Sequence, residues 1–287
     1  MSTDLGAPPT SLANMAVTYF SNLGRRVPIE GMRVFNQTPS EYYKLKQPEL
    51  DYEQILGRLK QQHMAPEFFS TEAFQNTAEA ILEKLGTNSA YQNLIQGVHV
   101  PFVYAGPNDP VDLGGAIESM LLPGVQKSFN SLYPESHFKA VLQSNSELPG
   151  NIRLAADSKY ENFIAAAQQG TVVGWYFPQA LQEFDVDSQR SQMKLLPALV
   201  GAEICLSGAI DICAAVIGSP NLLISEEFYT PILCMSAYEH TDARMVLLLK
   251  AYGPHLEFWC MTQMLSRNTT QVSEQWAGGL CVYVFAS

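Results

Sequence analysis

Charge is what this chain is poorest in. Charged residues make up 16% of its 287 positions, where an average globular domain carries about 25%. What charge there is leans one way, to a net −11. After Lys194 the only basic residues are Arg244, Lys250 and Arg267. A protein that grips phosphates needs a basic face, because counterion release scales with its Lys and Arg contacts. No basic run exists and no basic residues alternate with aromatics, so nucleic acid and anionic membrane are both excluded as expected partners.

A redox or metal cysteine motif is also missing. The five cysteines, Cys205, Cys213, Cys234, Cys260 and Cys281, are odd in number and contain no CxxC. Most sit among Ile, Leu, Phe and Val, where a free Cys behaves as a small hydrophobe. The stretch "MSTDLGAPPTS" has neither the basic nor the apolar region of a secretory signal. These features together predict reduced thiols and a cytoplasmic setting. The longest low-charge run, Leu195 to Ile224, holds only Glu203 and Asp211. Pro197, Gly201, Gly208, Gly218 and Pro220 interrupt it, so a buried helix or strand pair is expected there rather than a membrane span. Walker A, GxGxxG, HExxH and GxSxG are absent too.

Apolar residues, by contrast, reach 47%. Disordered chains lack that much apolar surface, and a chain of this length buries enough to need no disulfide or metal staple. So little charge also hints at a surface covered by a partner or by another copy of the chain.

Periodicity divides the chain near residue 97. Residues 1–97 read as mainly helical. Leu12, Met15, Ala16, Tyr19, Phe20 and Leu23 recur at helical spacing between a Thr10 or Ser11 cap and Gly24. Residues 40–62 suggest a helix broken at Pro48, and residues 71–85 another with Phe74, Ile81, Leu82 and Leu85 inward. Residues 98–287 read as an α/β core continuing into antiparallel strands. "VHVPFVY", "FKAVLQS" and 171–177 are strands. Helices are expected from Pro110, capped by Asn108 or Asp109, and over 157–170. The expected class is α+β: a helical N-terminal region packed on a mixed sheet, with antiparallel strands in the C-terminal third.

One hairpin is specified closely. In "KAYGPHLE", Gly253-Pro254 suits a type II′ turn, with Gly taking positive φ and Pro the −65° that follows. That turn pairs Tyr252 with His255, Lys250 with Glu257 and Leu248 with Trp259. It places Met245, Leu247, Leu249, Ala251, Leu256, Phe258 and Cys260 on a core face, and Arg244, Lys250, Tyr252, His255, Glu257 and Trp259 on the other.

Three clusters could carry chemistry. In "TVVGWYFPQALQEFDVDSQ" a strand meets Pro178, expected to end it, and then Glu183, Asp185 and Asp187. If extended, the three carboxylates point one way. They could then hold Mg²⁺ or Ca²⁺, or act as acid and base, since crowded carboxylates raise one another's pKa. The competing expectation makes Asp187 the N-cap of a helix at "SQRSQMKLL" and leaves the other two on the surface. The second cluster is "YEHTDAR", where His240 and Asp242 could orient each other and Cys234 or Cys260 could serve as nucleophile. The third is the hairpin face, with His255 as base beside Lys250 and an aromatic wall. Glu203 and Asp211, isolated acids in apolar sequence, are expected at an element end or facing a cavity.

Two functional classes remain open. One is an enzyme acting on a small molecule through Glu183, Asp185, His240, Asp242 or His255, with a divalent cation on Glu183, Asp185 and Asp187 as its cofactor. The other is a non-enzymatic module that binds a small ligand or a protein, or self-assembles as a homo-oligomer, through an apolar, low-charge surface.

Overall fold

The computed structural model describes residues 18–107, 112–143, 146–262 and 273–286. The fold is α+β, with a mixed sheet of eight strands among the described residues. In chain order the elements begin with helices α1 (Tyr52–Gln61) and α2 (Thr71–Thr87), then strand β1 (Val100–Ala105). Helix α3 (Leu113–Ala116), a π-helical turn (Ile117–Leu121) and α4 (Leu122–Leu132) follow. Next come β2 (Phe138–Leu142), β3 (Ile152–Leu154), α5 (Tyr160–Gln169), β4 (Thr171–Gln182) and α6 (Val186–Ser191). The last third holds β5 (Glu203–Leu206), α7 (Ala209–Gly218), β6 (Ile232–Cys234), β7 (Tyr238–His240), β8 (Met245–Tyr252), β9 (His255–Thr262) and β10 (Trp276–Ala286). The main sheet runs β1-β4-β10-β6-β8-β9-β2, and β5 also pairs with β10. Strands β3 and β7 form a separate pair.

Strand β4 is the buried axis of this sheet, antiparallel to β1 on one side and β10 on the other. All of its residues are buried, as a strand covered on both faces requires. Alternation sends Trp175 one way and Tyr176 the other. Trp175 Nε1 donates to the Ala78 carbonyl of α2 at 2.7 Å. Tyr176, on the opposite face, lies beside Asp211 of α7. Every residue of α7 is buried. Its last turn takes the Ser128 hydroxyl of α4 on Ile217 O and the Arg58 guanidinium of α1 on Gly218 O. The main core therefore draws on residues either side of position 97. Within the low-charge stretch 195–224, strand β5 and the wholly buried helix α7 form after an irregular segment in which Leu195 and Val200 are exposed, and no helix among the described residues is long and apolar enough to cross a membrane.

Local signals account for several elements. Ser70 caps α2 by accepting from Ala73 N at 3.1 Å, with Phe74, Ala78, Ile81 and Leu85 inward. The β8–β9 register pairs Lys250 with Glu257, Tyr252 with His255 and Leu248 with Trp259, and Gly253 has φ +57°. The seven residues assigned to the core face all belong to or pack on the main core.

Other expectations are overturned. The helix over 40–62 is present only as α1: residues 40–50 are irregular, with Arg25 donating to the carbonyls of Ser40 and Tyr43. The helix expected from Thr10 or Ser11 falls mostly outside the described residues. The part that is described, residues 18–23, is not helical, and Phe20 bridges Arg26 instead. The expected caps Asn108 and Asp109 also lie outside the described residues. Asp112 is the N-cap of α3, accepting from Gly115 N at 2.6 Å. Pro178 does not stop β4. The β1 pairing ends at Tyr176, and residues 178–180 oppose the single Gly279 in a bulge. A proline there removes no ladder hydrogen bond.

Candidate functional site

The three carboxylates after β4 do not share a face, because the chain turns between them. Glu183 has φ +71°, and Phe184 bridges Val34. Glu183 is buried, with Oε1 accepting from Asn36 Nδ2 at 2.8 Å and Oε2 from Ser40 N at 3.2 Å. Asp185, also buried, is the N-cap of α6 in place of Asp187: it accepts from Ser188 N at 2.7 Å and pairs with Arg33 at 2.9 Å. Asp187 sits exposed in the first turn. Among the described residues no group of three His, Cys, Asp or Glu is placed to hold a metal ion. The physical reason is the tight turn at Glu183, which replaces the extended backbone that alignment of the three side chains required.

His240 and Asp242 are neighbours with separate roles. His240 is buried in β7; its Nδ1 accepts from Asp242 N at 2.9 Å, and its Nε2 meets the Glu147 carbonyl at 3.2 Å. Both ring nitrogens are thus held by backbone. The Asp242 carboxylate faces Arg244 at 2.6 Å, and those hydrogen bonds lower its pKa to about 2. Neither cysteine considered as a nucleophile has the partly exposed setting a reactive thiolate needs; Arg190 lies near Cys234, but burial outweighs its charge. Burial pushes Cys234 up to about 12 and Cys260 up to about 11. His255 stacks on His137, ring centroids 3.7 Å apart, and its Nδ1 accepts from His137 N.

Of the isolated acids, Glu203 opens β5, exposed, and Asp211 lies in the first turn of α7, wholly buried. Asp211 accepts from Gly208 N and from the Tyr160 hydroxyl, each at 2.8 Å. Burial raises its pKa to about 6, and those hydrogen bonds hold the rise back. Among the described residues its Oδ2, the Ser207 hydroxyl and the Tyr176 hydroxyl have no hydrogen-bond partner.

A concavity lies on the outer face of the β6–β8–β9 region, where the hairpin cluster was expected to face a ligand. It is a groove of about 780 Å³. Ile232, Val246, Leu248, Met261 and Trp276 make an apolar floor, part of a second, smaller apolar cluster separate from the main core. One wall is the segment 223–230, tied to residues 43 and 44 by a Tyr43–Tyr229 bridge and by Lys44 N donating to Tyr229 O at 3.0 Å. Tyr42 stacks on Tyr229 at 5.4 Å. Lys250, Tyr252 and Gly253 close the hairpin end. Lys250 Nζ is 3.6 Å from Glu257 Oε2 and 4.3 Å from the Trp259 ring centre, and Trp259 Nε1 donates to the same Glu257 oxygen at 2.7 Å.

Lys250 and Tyr252 were thus among the residues the sequence singled out, whereas Tyr43, Glu226, Glu227, Tyr229 and Trp276 were not. A signal for the floor existed in "MVLLLK": Val246 and Leu248 are apolar at the outward positions, so that face had to be at least partly covered. Nothing local marks the walls, which come from three distant segments. No family model, curated protein or solved structure matches this chain.

Proposed function

We propose that this protein is a binding module that holds a small, partly apolar ligand in the groove on the outer face of its sheet. The observation that carries this reading is the groove itself: an apolar floor of Val246, Leu248, Ile232 and Trp276 between aromatic walls, about 780 Å³ in volume. Small-molecule sites are concavities of this size, mostly apolar, with a few polar groups that set orientation. The acids and histidines first considered for catalysis support the same side of the choice. Glu183, Asp185 and His240 spend their polar atoms on backbone and side-chain partners that hold loops and helix ends in place.

A fragment screen followed by backbone amide NMR tests this reading. Shifts are expected at Val246, Leu248, Lys250, Tyr252 and Trp276. Binding that instead perturbs Glu183 and Asp185, or His240 and Asp242, would return the function to acid–base chemistry at those residues.

A further inference from the structure

We propose that the ligand of this groove is an organic cation: an alkyl- or arylalkylammonium whose carbon body lies on the floor and whose charge sits between the tyrosines and the rim carboxylates. This rests on the binding reading above and adds the sign of the ligand's charge.

Among the described residues, the charged ones of the lining are Glu226, Glu227 and Lys250. Lys250 is already matched. Its ammonium lies over Trp259 and faces Glu257, so it offers an incoming anion little. Glu226 and Glu227 are exposed on the rim, and no ion pair among the described residues includes either. Two further cations lie near that wall: Lys44 faces Glu41 at 3.1 Å, and Arg25 is buried. It donates to the Ser40 and Tyr43 carbonyls and faces Glu183, Glu41 and Glu274. Among the described residues, a ligand in the groove therefore meets two carboxylates outside any ion pair and no cation outside one.

The aromatic groups point the same way. Tyr229 is 65% exposed and Tyr252 68%. A ring face carries negative potential and attracts an ammonium placed over it. Tyr229 is also held before any ligand arrives, stacked on Tyr42 with planes 23° apart, while Tyr43 meets Tyr42 edge-on. Rings fixed in advance cost a ligand little ordering entropy. An anion would face Glu226 and Glu227, and a neutral molecule would use only the floor.

The test uses the full chain and three probes of one carbon skeleton: 3-phenylpropyl-trimethylammonium, 3-phenylpropanesulfonate and 3-phenylpropanol, titrated by calorimetry. The ammonium is expected to bind tightest. The double variant Glu226→Gln, Glu227→Gln should weaken it by about fivefold at low salt, with the difference shrinking as salt rises. Thr230→Trp, which fills the groove from its rim, should abolish binding while circular dichroism shows the fold retained. If Thr230→Trp is not folded, Ser225→Trp replaces it. Sulfonate binding equal to or tighter than ammonium binding, lost on filling the groove, would overturn the cation inference and leave the groove as the site. Binding of none of the three, or ammonium binding indifferent to a folded groove-filling variant, would overturn the groove reading as well.

Discussion

The hydroxyl of Tyr160 donates to Oδ1 of Asp211 at 2.8 Å inside a core where, among the described residues, no ion pair reaches this carboxylate. Burial holds the folded pKa at about 6, above the usual 3.8. A raised carboxyl pKa contributes stability that is fully present below the unfolded value and lost as pH rises through the folded one. About two units correspond to about 3 kcal/mol. Asp211→Asn, which cannot ionise, should therefore gain on the wild type by about that amount between about pH 4 and about pH 8. Urea melts at the two pH values measure it. Parallel pH profiles for the two proteins would mean that Asp211 is not buried as described.

The cap of α6 gives a sharper contrast. Asp185→Ala removes the acceptor of Ser188 N and the partner of Arg33. Arg33 is 43% exposed, so solvent screens much of the pair, and the loss should be about 2 kcal/mol, most of it from the cap. Asp187→Ala, on an exposed side chain in the first turn, should change stability by less than about 0.5 kcal/mol. Thermal melts of the two variants decide this. A larger loss at position 187 would restore the cap first expected there.

Two glycines should respond in opposite directions. A Cβ at Gly114 would stand 1.8 Å from the carbonyl oxygen of Leu148, a backbone atom that cannot swing aside. Gly114→Ala should cost more than about 3 kcal/mol or prevent folding. Gly57 lies inside α1 with nothing within 4 Å of such a Cβ. Gly57→Ala should stabilise by about 0.5–1 kcal/mol. Denaturant midpoints of the pair test both signs.

The cysteines should be silent while the protein is folded. All five are free and buried, and burial raises the thiol pKa at every one of them. An aromatic disulfide reagent should find almost no reactive thiol in native protein and five after denaturation. Fast labelling of native protein would mean that at least one of these strands opens readily.

Much of the layout could be read from local pattern. The helical stripe of Phe74, Ile81 and Leu85 needs only the period of its own backbone. So does the β8–β9 register, where Gly253-Pro254 fixes the turn and every pairing follows from it. The low charge of residues 204–218 similarly marked them for burial, because so much contiguous apolar area is costly to leave in water.

Pairings between distant segments were the part that local pattern could not carry. Whether Pro178 ends a strand depends on what lies beside it: β1 has already stopped at its level and β10 bulges at Gly279. Whether Glu183 and Asp185 are ligands or struts depends on Asn36, Ser40 and Arg33, about 150 residues earlier in the chain. The groove, too, exists because residues 43 and 229 meet beside a floor supplied by β6, β8, β9 and β10. Composition and period settle which side chains must be buried, since burial acts on each residue's own surface. Which carboxylate faces a partner and which faces an open groove is settled by contacts between remote segments, and those belong to the tertiary structure alone.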